Sequence, residues 1–299
     1  MIHTKKRFII IDSNALIHRA YHALPPLKTK KGETVNVVYG FLLIFLKTIK
    51  DFNPDFIAAA FDLPSPTFRH KEYQEYKIKR PKMPEEFYNQ IPKIKEFLKN
   101  FNVPIFEKES FEADDIIGTI THLASREDKS IETIILTSDL DMLQLIDENT
   151  FVCAMKKGLK DIIIYDKESV EKKFQLSPSQ LIDFKALKGD HSDNISGVTG
   201  IGEKTSIQLI KDFGSLENLY KTIEERNEES QKIKPKIKET LLKHKEQAFF
   251  SKMLVKIRKD ANIDFNLDKC RWKGYNYNKK NIIEMLKNFE FYSLINKLP

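Results

Sequence analysis

Phe8-Ile9-Ile10-Ile11-Asp12 is an apolar run closed by an acid. So short an unbroken run marks a strand buried on both faces, as in a parallel sheet. The pattern returns as Phe56-Ile57-Ala58-Ala59-Ala60-Phe61-Asp62 and as Thr133-Ile134-Ile135-Leu136-Thr137-Ser138-Asp139. Val103 to Phe106 reads as a shorter strand. Phe151 to Ala154 and Asp161 to Tyr165 read as two more, in a hairpin around Lys157-Gly158. Helical spacing fills the gaps. It covers Ala15 to His22, Val35 to Phe52, and a helix opened by Pro84 with Phe87, Ile91, Ile94, Leu98 and Phe101 on one face. Phe111-Glu112-Ala113-Asp114-Asp115-Ile116-Ile117 starts another, with Ser110 as its expected cap. Strands alternating with helices predict an α/β fold with a central, mostly parallel sheet flanked by helices.

In such a sheet, ligands bind just beyond the carboxyl ends of the strands. Asp12, Asp62 and Asp139 fall at that edge. Glu112, Asp114 and Asp115 sit in the first turn of a helix, where acids also complement the helix dipole. Asp141 follows Asp139, and Gly189-Asp190-His191-Ser192-Asp193-Asn194 adds Asp190 and Asp193. Capping explains one or two of these acids, not nine. The set contains no His or Cys, which favours Mg²⁺ or Mn²⁺ over Zn²⁺. It exceeds what one octahedral ion needs, so two ions acting on one phosphodiester is the economical reading. Without metal the crowded carboxylates repel. Asp115→Asn or Asp141→Asn is therefore expected to raise the melting temperature in EDTA.

The chain has 299 residues, 41% hydrophobic and 31% charged, with a formal net charge of +7 and a sequence pI near 9.0. Setting the acid cluster aside leaves a body more basic still, suited to holding a polyanion by its flanks. Cys153 and Cys270 fit no ligand spacing and read as free thiols in a reducing compartment. Met1 to Arg7 is basic, but the apolar run after it stops at Asp12, so it is no signal peptide. Val35 to Ile49 is too short for a bilayer and contains Asn36 and Lys47, so it reads as a buried helix and no membrane is expected.

After Asp166 the pattern is helical only, which places a boundary near Phe174 to Ser177 and divides the chain into residues 1–175 and 176–299. Ser177-Pro178 opens a helix to about Lys188, which Gly189 can terminate. Gly197-Val198-Thr199-Gly200-Ile201-Gly202-Glu203-Lys204-Thr205 then opens a helix through Phe213. The spacing is neither a Walker motif nor a dinucleotide fingerprint. Helix, glycine hairpin, helix over about 178–213 is the usual clamp for a nucleic-acid backbone; an ordinary tight turn is the alternative. Glu224 to Ile257 reads as Lys-rich helix broken near Pro235, a solvated face. Lys279 to Leu298 reads as an amphipathic closing helix.

Several motifs occur together in one order: Asp12 after its strand, Val38-Tyr39-Gly40-Phe41, Phe61-Asp62, Phe68-Arg69, Tyr76-Lys77 with Arg80-Pro81, Glu112-Ala113-Asp114-Asp115, Thr137-Ser138-Asp139 with Asp141, Gly189-Asp190 with Asp193-Asn194, and the glycine hairpin. From about Arg7 onward the chain resembles the 5′ nuclease domains of bacterial DNA polymerase I, in the flap endonuclease family. The resemblance implies a PIN-like nuclease core followed by a helix-three-turn-helix DNA-binding region. It implies a structure-selective, metal-dependent 5′→3′ exonuclease and 5′-flap endonuclease, using two Mg²⁺ with Mn²⁺ as substitute. Lys77 and Arg80 match the family's catalytic basic pair, and residues 64–84 its arch. Tyr76 matches a base-stacking position, and Arg19 a substrate-contacting arginine. Gly197, Gly200, Gly202, Lys204 and Thr205 match the duplex grip, which can hold K⁺. The implied partners are duplex DNA with a 5′ flap, nick or free 5′ end, RNA-primer hybrids, and a DNA polymerase in cis or trans. A monomeric, cytoplasmic, nucleoid-associated protein is implied. His191 and Ser196 depart from the family pattern between the acids. Rival readings are a non-catalytic DNA-binding protein, which leaves the acids unexplained, and a phosphatase with Asp12 as nucleophile, which lacks a second Asp where Asn14 stands. A third is an RNase of related topology, which needs no glycine hairpin.

Overall fold

The apolar runs become the strands of one sheet. The structure is a computed structural model that describes residues 5–159, 161–272 and 277–299; the start of the basic stretch Met1 to Arg7 lies outside them. The strands are β1 (Arg7–Asp12), β2 (Phe56–Ala60), β3 (Ile105–Phe106), β4 (Glu132–Thr137), β5 (Thr150–Met155) and β6 (Ile162–Tyr165), in the order β3-β2-β1-β4-β5-β6. All neighbours are parallel except β6, which returns antiparallel to β5. The order reverses at β1, which has β2 on one side and β4 on the other. That is the switch point where such sheets open a crevice.

Helices α1 (Ser13–Ala23) and α2 (Asn36–Phe52) follow β1. Next come α3 (Phe68–Glu72), α4 (Glu85–Tyr88) and α5 (Ile91–Asn100), then α6 (Ala113–Glu127) after β3 and α7 (Lys167–Phe174) after β6. The remaining helices are α8 (Leu181–Lys188), α9 (Glu203–Phe213), α10 (Leu216–Glu225), α11 (Pro235–Lys243), α12 (Lys245–Val255), α13 (Lys279–Asn288) and α14 (Tyr292–Ile295). Among the described residues, no helix is long and apolar enough to cross a membrane.

Side chains alternate across a strand, so each strand feeds two cores. Phe8, Ile10, Ala58, Ile135 and Val152 face α6 and the helices from α8 to α12. Ile9, Ile11, Ile57, Leu136 and Cys153 face α1, α2, α5 and the closing helices α13 and α14. Both faces are covered, which is why these strands tolerate no polar alternation. Cys153 and Cys270 are free and buried.

Three local expectations are corrected. The helix opened by Pro84 is two helices, because Pro92 lacks the N–H that a continuous helix would bond to Tyr88. Gln90, in the break, is buried and its Oε1 accepts the α2 N–H groups of Val37 (2.9 Å) and Val38 (3.3 Å), supplying a cap α2 does not make for itself. Ser110 does not cap α6. It stands in the left-handed region at φ 69°, and Glu112 is the N-cap, in a capping box with Asp115. The closing helix is broken at Glu290, φ 61°.

Candidate active site

Three strand ends and the start of α6 bring their acids to one place, and hydrogen bonds lace them together. Asp12 closes β1 and caps α1, its Oδ1 accepting from the Ala15 N–H at 3.1 Å. Its Oδ2 accepts from the Thr137 hydroxyl at the end of β4, at 2.5 Å. The same hydroxyl accepts the Asp139 N–H at 2.9 Å, and Asp139 Oδ1 accepts the Asp141 N–H at 2.8 Å. Beyond β2, the Asp62 N–H is held by Asn14 Oδ1 at 2.9 Å, and Asp62 Oδ1 accepts the Ala113 N–H at 2.6 Å. That bond seats the start of α6, and with it Glu112 and Asp114, against β2.

The cluster carries more negative charge than it can comfortably hold. Burial pushes Asp12 up to about 7; bonds from Thr137 and Ala15 oppose the rise, while the charges of Asp139 and Asp62 add to it. Burial, then repulsion from Asp139 and Asp12, holds Asp114 well above the ordinary carboxylate range. Asp62 is raised by burial, with Glu112 adding. Asp141 is pushed up to about 6 by burial and Asp139, against the opposing pull of Lys185. Asp190 goes the other way, to about 2: its burial is outweighed by Lys185 and by bonds from Ser192. Carboxylates that protonate for want of counter-charge, with an all-oxygen donor set, fit a hard divalent cation.

The protein's own cations meet part of that demand. Lys77 Nζ bonds Glu112 Oε1 at 3.0 Å and stands 3.9 Å from Asp193 Oδ2. Arg80 Nη2 bonds Asp193 Oδ1 at 2.5 Å. Burial alone would lower Lys77, but Glu112 and Asp193 more than reverse that and hold its pKa above the ordinary value. Lys185, on α8, bridges Asp141 and Asp190, with its Nζ 2.7 Å from Asp190 Oδ2. Lys185 was not legible as a site residue. Its only signal is its place on the last turn of α8, five residues before Asp190. With side chains turned to these partners, no three His, Cys, Asp or Glu among the described residues form a ready-made ligand set.

Two expected site residues sit differently. Asp115 is fully buried and faces away from the cluster. Its oxygens accept both arms of Arg69, at 2.7 and 2.9 Å, and the N–H groups of Glu112 (3.2 Å) and Arg258 (2.9 Å). With four donors on two oxygens, Asp115 has no lone pair aimed at an ion, which overturns its expected place among the ligands. Tyr76 is 4% exposed, so its ring is not free to stack on a base. Its hydroxyl instead donates to Glu112 (3.1 Å) and Asp193 (3.2 Å).

The segment 64–84 is docked at its base. The Lys77 N–H bonds the Asp193 carbonyl at 3.0 Å, and Asn194 Nδ2 bonds the Glu75 carbonyl at 3.0 Å. Lys77 stands at φ 56°, a left-handed conformation that turns the chain so that Lys77 and Arg80 both point inward, while Ile78 between them is 65% exposed. Arg19 donates to the Met155 carbonyl at 3.1 Å. In the glycine hairpin, a Cβ on Gly197 would stand 2.3 Å from the Gly189 nitrogen, so only glycine lets the two limbs cross there. Gly200, at φ 86°, and Gly202, which caps α9, are exposed beside exposed Lys204; Thr205 is partly buried.

A family model described as the 5′-3′ exonuclease N-terminal resolvase-like domain matches residues 7–175, and one for the 5′-3′ exonuclease C-terminal SAM fold matches 176–278. The chain belongs to the 5′-3′ exonuclease family. The resemblance carried by the motifs is thereby shown. Among curated relatives of this chain, DNA polymerase I of Bacillus caldotenax is 40% identical over 294 residues, covering 98% of this chain and 32% of that protein. DNA polymerase I of Bacillus subtilis is 39% identical with the same coverage. The chain thus spans about a third of the length of the curated relatives it matches. The fold is shared with the T5 D15 protein co-crystallised with metal ions, at TM-score 0.70, 20% identity, 94% of this chain and 99% of that one. It is shared too with the catalytic core of Rad2 in complex with DNA substrate, at TM-score 0.62, 16% identity, 96% of this chain and 89% of that one.

Proposed function

We propose that this chain is a structure-selective, metal-dependent 5′ nuclease that hydrolyses phosphodiesters in branched or nicked DNA and in RNA primers, as 5′→3′ exonuclease and 5′-flap endonuclease. The observation that carries the reading is the set of laced, charge-starved carboxylates at the switch point, with Lys77 and Arg80 beside it. Asp12, Asp62, Glu112, Asp114, Asp139, Asp141, Asp190 and Asp193 would hold two divalent ions, Mg²⁺ or Mn²⁺. When bound, such ions supply Lewis acidity for attack on a phosphodiester and for charge on the leaving oxygen.

The chain's own residues do the rest. Thr137 and the Ala15 and Ala113 N–H groups fix Asp12 and Asp62 in place at the ends of β1 and β2. Lys77 and Arg80 would exchange their carboxylate partners for the scissile phosphate, holding it in line. Fixed cations are worth more as charge develops than in the ground state. Arg19, on the helix α1 that Asp12 caps, would serve as a further phosphate contact. We divide the chain into a catalytic core, 1–175, and a helical DNA-binding region, 176–299. In the latter the helix-three-turn-helix, 178–213, grips the duplex through the exposed backbone of Gly200 and Gly202 and through Lys204, and its carbonyls suit K⁺. The natural partner is duplex DNA with a 5′ flap, nick or free 5′ end, acted on by a monomer with a DNA polymerase in cis or trans, in the cytoplasm at the nucleoid. Incubation with a 5′-flap duplex, a hairpin RNA and a phosphomonoester, with and without Mg²⁺, tests this. Mg²⁺-dependent release of the flap alone supports it; release of inorganic phosphate or cutting of the hairpin RNA alone refutes it.

A further inference from the structure

Arg69 is heavily bonded beside the site, yet it meets the acid cluster only through Glu112. It is 2% exposed, on the short helix α3. Its fork takes both oxygens of Asp115, and Nη1 also reaches Glu112 Oε2 at 3.3 Å. The other edge donates to two backbone carbonyls where α12 ends, Nε to Leu254 at 2.8 Å and Nη2 to Lys256 at 3.0 Å. Carbonyls of a last helical turn have no partner within the helix, so Arg69 caps α12 while it holds α6. One planar cation thus joins the base of 64–84, the first turn of α6 and the end of α12.

A second contact runs beside the first. The stretch after α12 lies directly on α6: the Arg258 N–H donates to Asp115 Oδ1 at 2.9 Å, and the Ala261 N–H to Thr119 Oγ1 at 3.1 Å. Gly118 is what permits this approach, because a Cβ there would stand 2.7 Å from the Arg258 carbonyl. The start of α6 is therefore clamped between α3 and this stretch. Glu112, its N-cap, is aimed by three donors, all from 69–77: Arg69, Tyr76 and Lys77. Tyr76 and Lys77 also reach Asp193, and of the three donors Arg69 alone hydrogen-bonds the end of α12.

We propose that Arg69 is a positioning residue for phosphodiester cleavage: paired with Asp115, it fixes the Glu112 carboxylate and the first turn of α6 against the end of α12. The inference rests on the nuclease reading for its catalytic readout. Outer partners of this kind are typically worth ~10–100-fold in metal affinity or rate. A lysine keeps the charge but loses the fork.

The test uses Arg69→Lys and, because a buried pair can be replaced by apolar residues without loss of stability, the double variant Arg69→Met/Asp115→Leu. Thermal unfolding in EDTA establishes which variants are folded. For these, the single-turnover rate on a 5′-flap duplex at saturating DNA and Mg²⁺ is expected to fall ~10-fold or more, with flap affinity within about twofold of the unaltered protein and Mn²⁺ affinity, read by EPR, weakened ~10-fold. A folded variant that cleaves within about twofold of the unaltered rate and binds Mn²⁺ equally overturns the proposal, and leaves Arg69 a stabiliser of the fold. If the unaltered protein cleaves no flap, the nuclease reading has failed by itself. The Mn²⁺ titration then decides the inference: weaker binding upholds it, and equal binding refutes it.

Discussion

Asp114→Asn and Asp115→Asn remove the same charge from adjacent residues, and the structure requires opposite effects on stability. Asp115 neutralises a guanidinium whose side chain is 3% exposed. Asn offers one oxygen in place of two and no charge, so Arg69 keeps its two carbonyl partners but only one carboxylate, Glu112 at 3.3 Å. Breaking one side of a buried pair costs ~3–5 kcal/mol. For a chain of 299 residues, an unfolding entropy of about 2.1 cal/mol/K per residue amounts to ~0.6 kcal/mol/K, so Asp115→Asn should melt ~5–8 °C lower in EDTA. Asp114 has no such duty: burial, Asp139 and Asp12 all resist its ionisation. Two carboxylates ~4 Å apart repel by about 4 kcal/mol at an effective dielectric of 20, and proton uptake relieves most of it. Asp114→Asn should recover the ~1–2 kcal/mol that remains and melt ~2–3 °C higher in EDTA. Differential scanning calorimetry across a Mg²⁺ titration at constant ionic strength is the assay. Mg²⁺ should stabilise the unaltered protein most and both variants less, Asp114→Asn through a lost ligand and Asp115→Asn through a loosened Glu112. Two variants that shift the same way in EDTA would refute the assignment of Asp115 to Arg69 and of Asp114 to the cluster.

Other outcomes follow from the same contacts. Lys77→Ala or Arg80→Ala should lower the single-turnover rate ~100-fold while flap affinity changes little; a defect that vanishes at saturating DNA contradicts this. Lys204→Ala should weaken duplex binding for every sequence and reduce the log–log salt slope by about 1, as read by fluorescence anisotropy across a KCl series. Lys185→Met frees Asp141 and Asp190 of their resident cation, so it should tighten Mn²⁺ binding several-fold by calorimetry; unchanged affinity would mean the bridge does not compete. The pH dependence has a definite sign. Asp12, near 7, and Asp141, near 6, lie above their ordinary 3.8, so the folded state holds more protons than the unfolded one between about pH 4 and 7, and stability falls as pH rises through that window. The metal-free protein should melt lower at pH 7.5 than at pH 5, and Mg²⁺ should flatten the profile.

The unbroken apolar runs at Phe8, Phe56 and Thr133 sufficed for a parallel sheet, because only strands covered on both faces can carry them. With the strands placed, the acids after them had to lie at one edge. Both conclusions need only local pattern and the two-residue period of a strand. Turn chemistry was legible too, in the glycines at 189, 197 and 200, all at positive φ and the first two with no room for a Cβ. What stayed hidden depends on contacts between residues far apart in the chain. Glu112, Asp114 and Asp115 are nearly adjacent, but the helix turns each in its own direction. Only the packing of α3 and the end of α12 decides that Asp115 meets Arg69 rather than the crevice. Lys185 is one lysine among many until α8 is laid beside Asp141. Tyr76 reads as an aromatic on a basic segment and folds into a buried hydrogen-bond donor. A sequence states which charges exist. Which of them neutralise one another, and so which remain for a ligand, depends on angstrom-scale distances that only the assembled fold fixes.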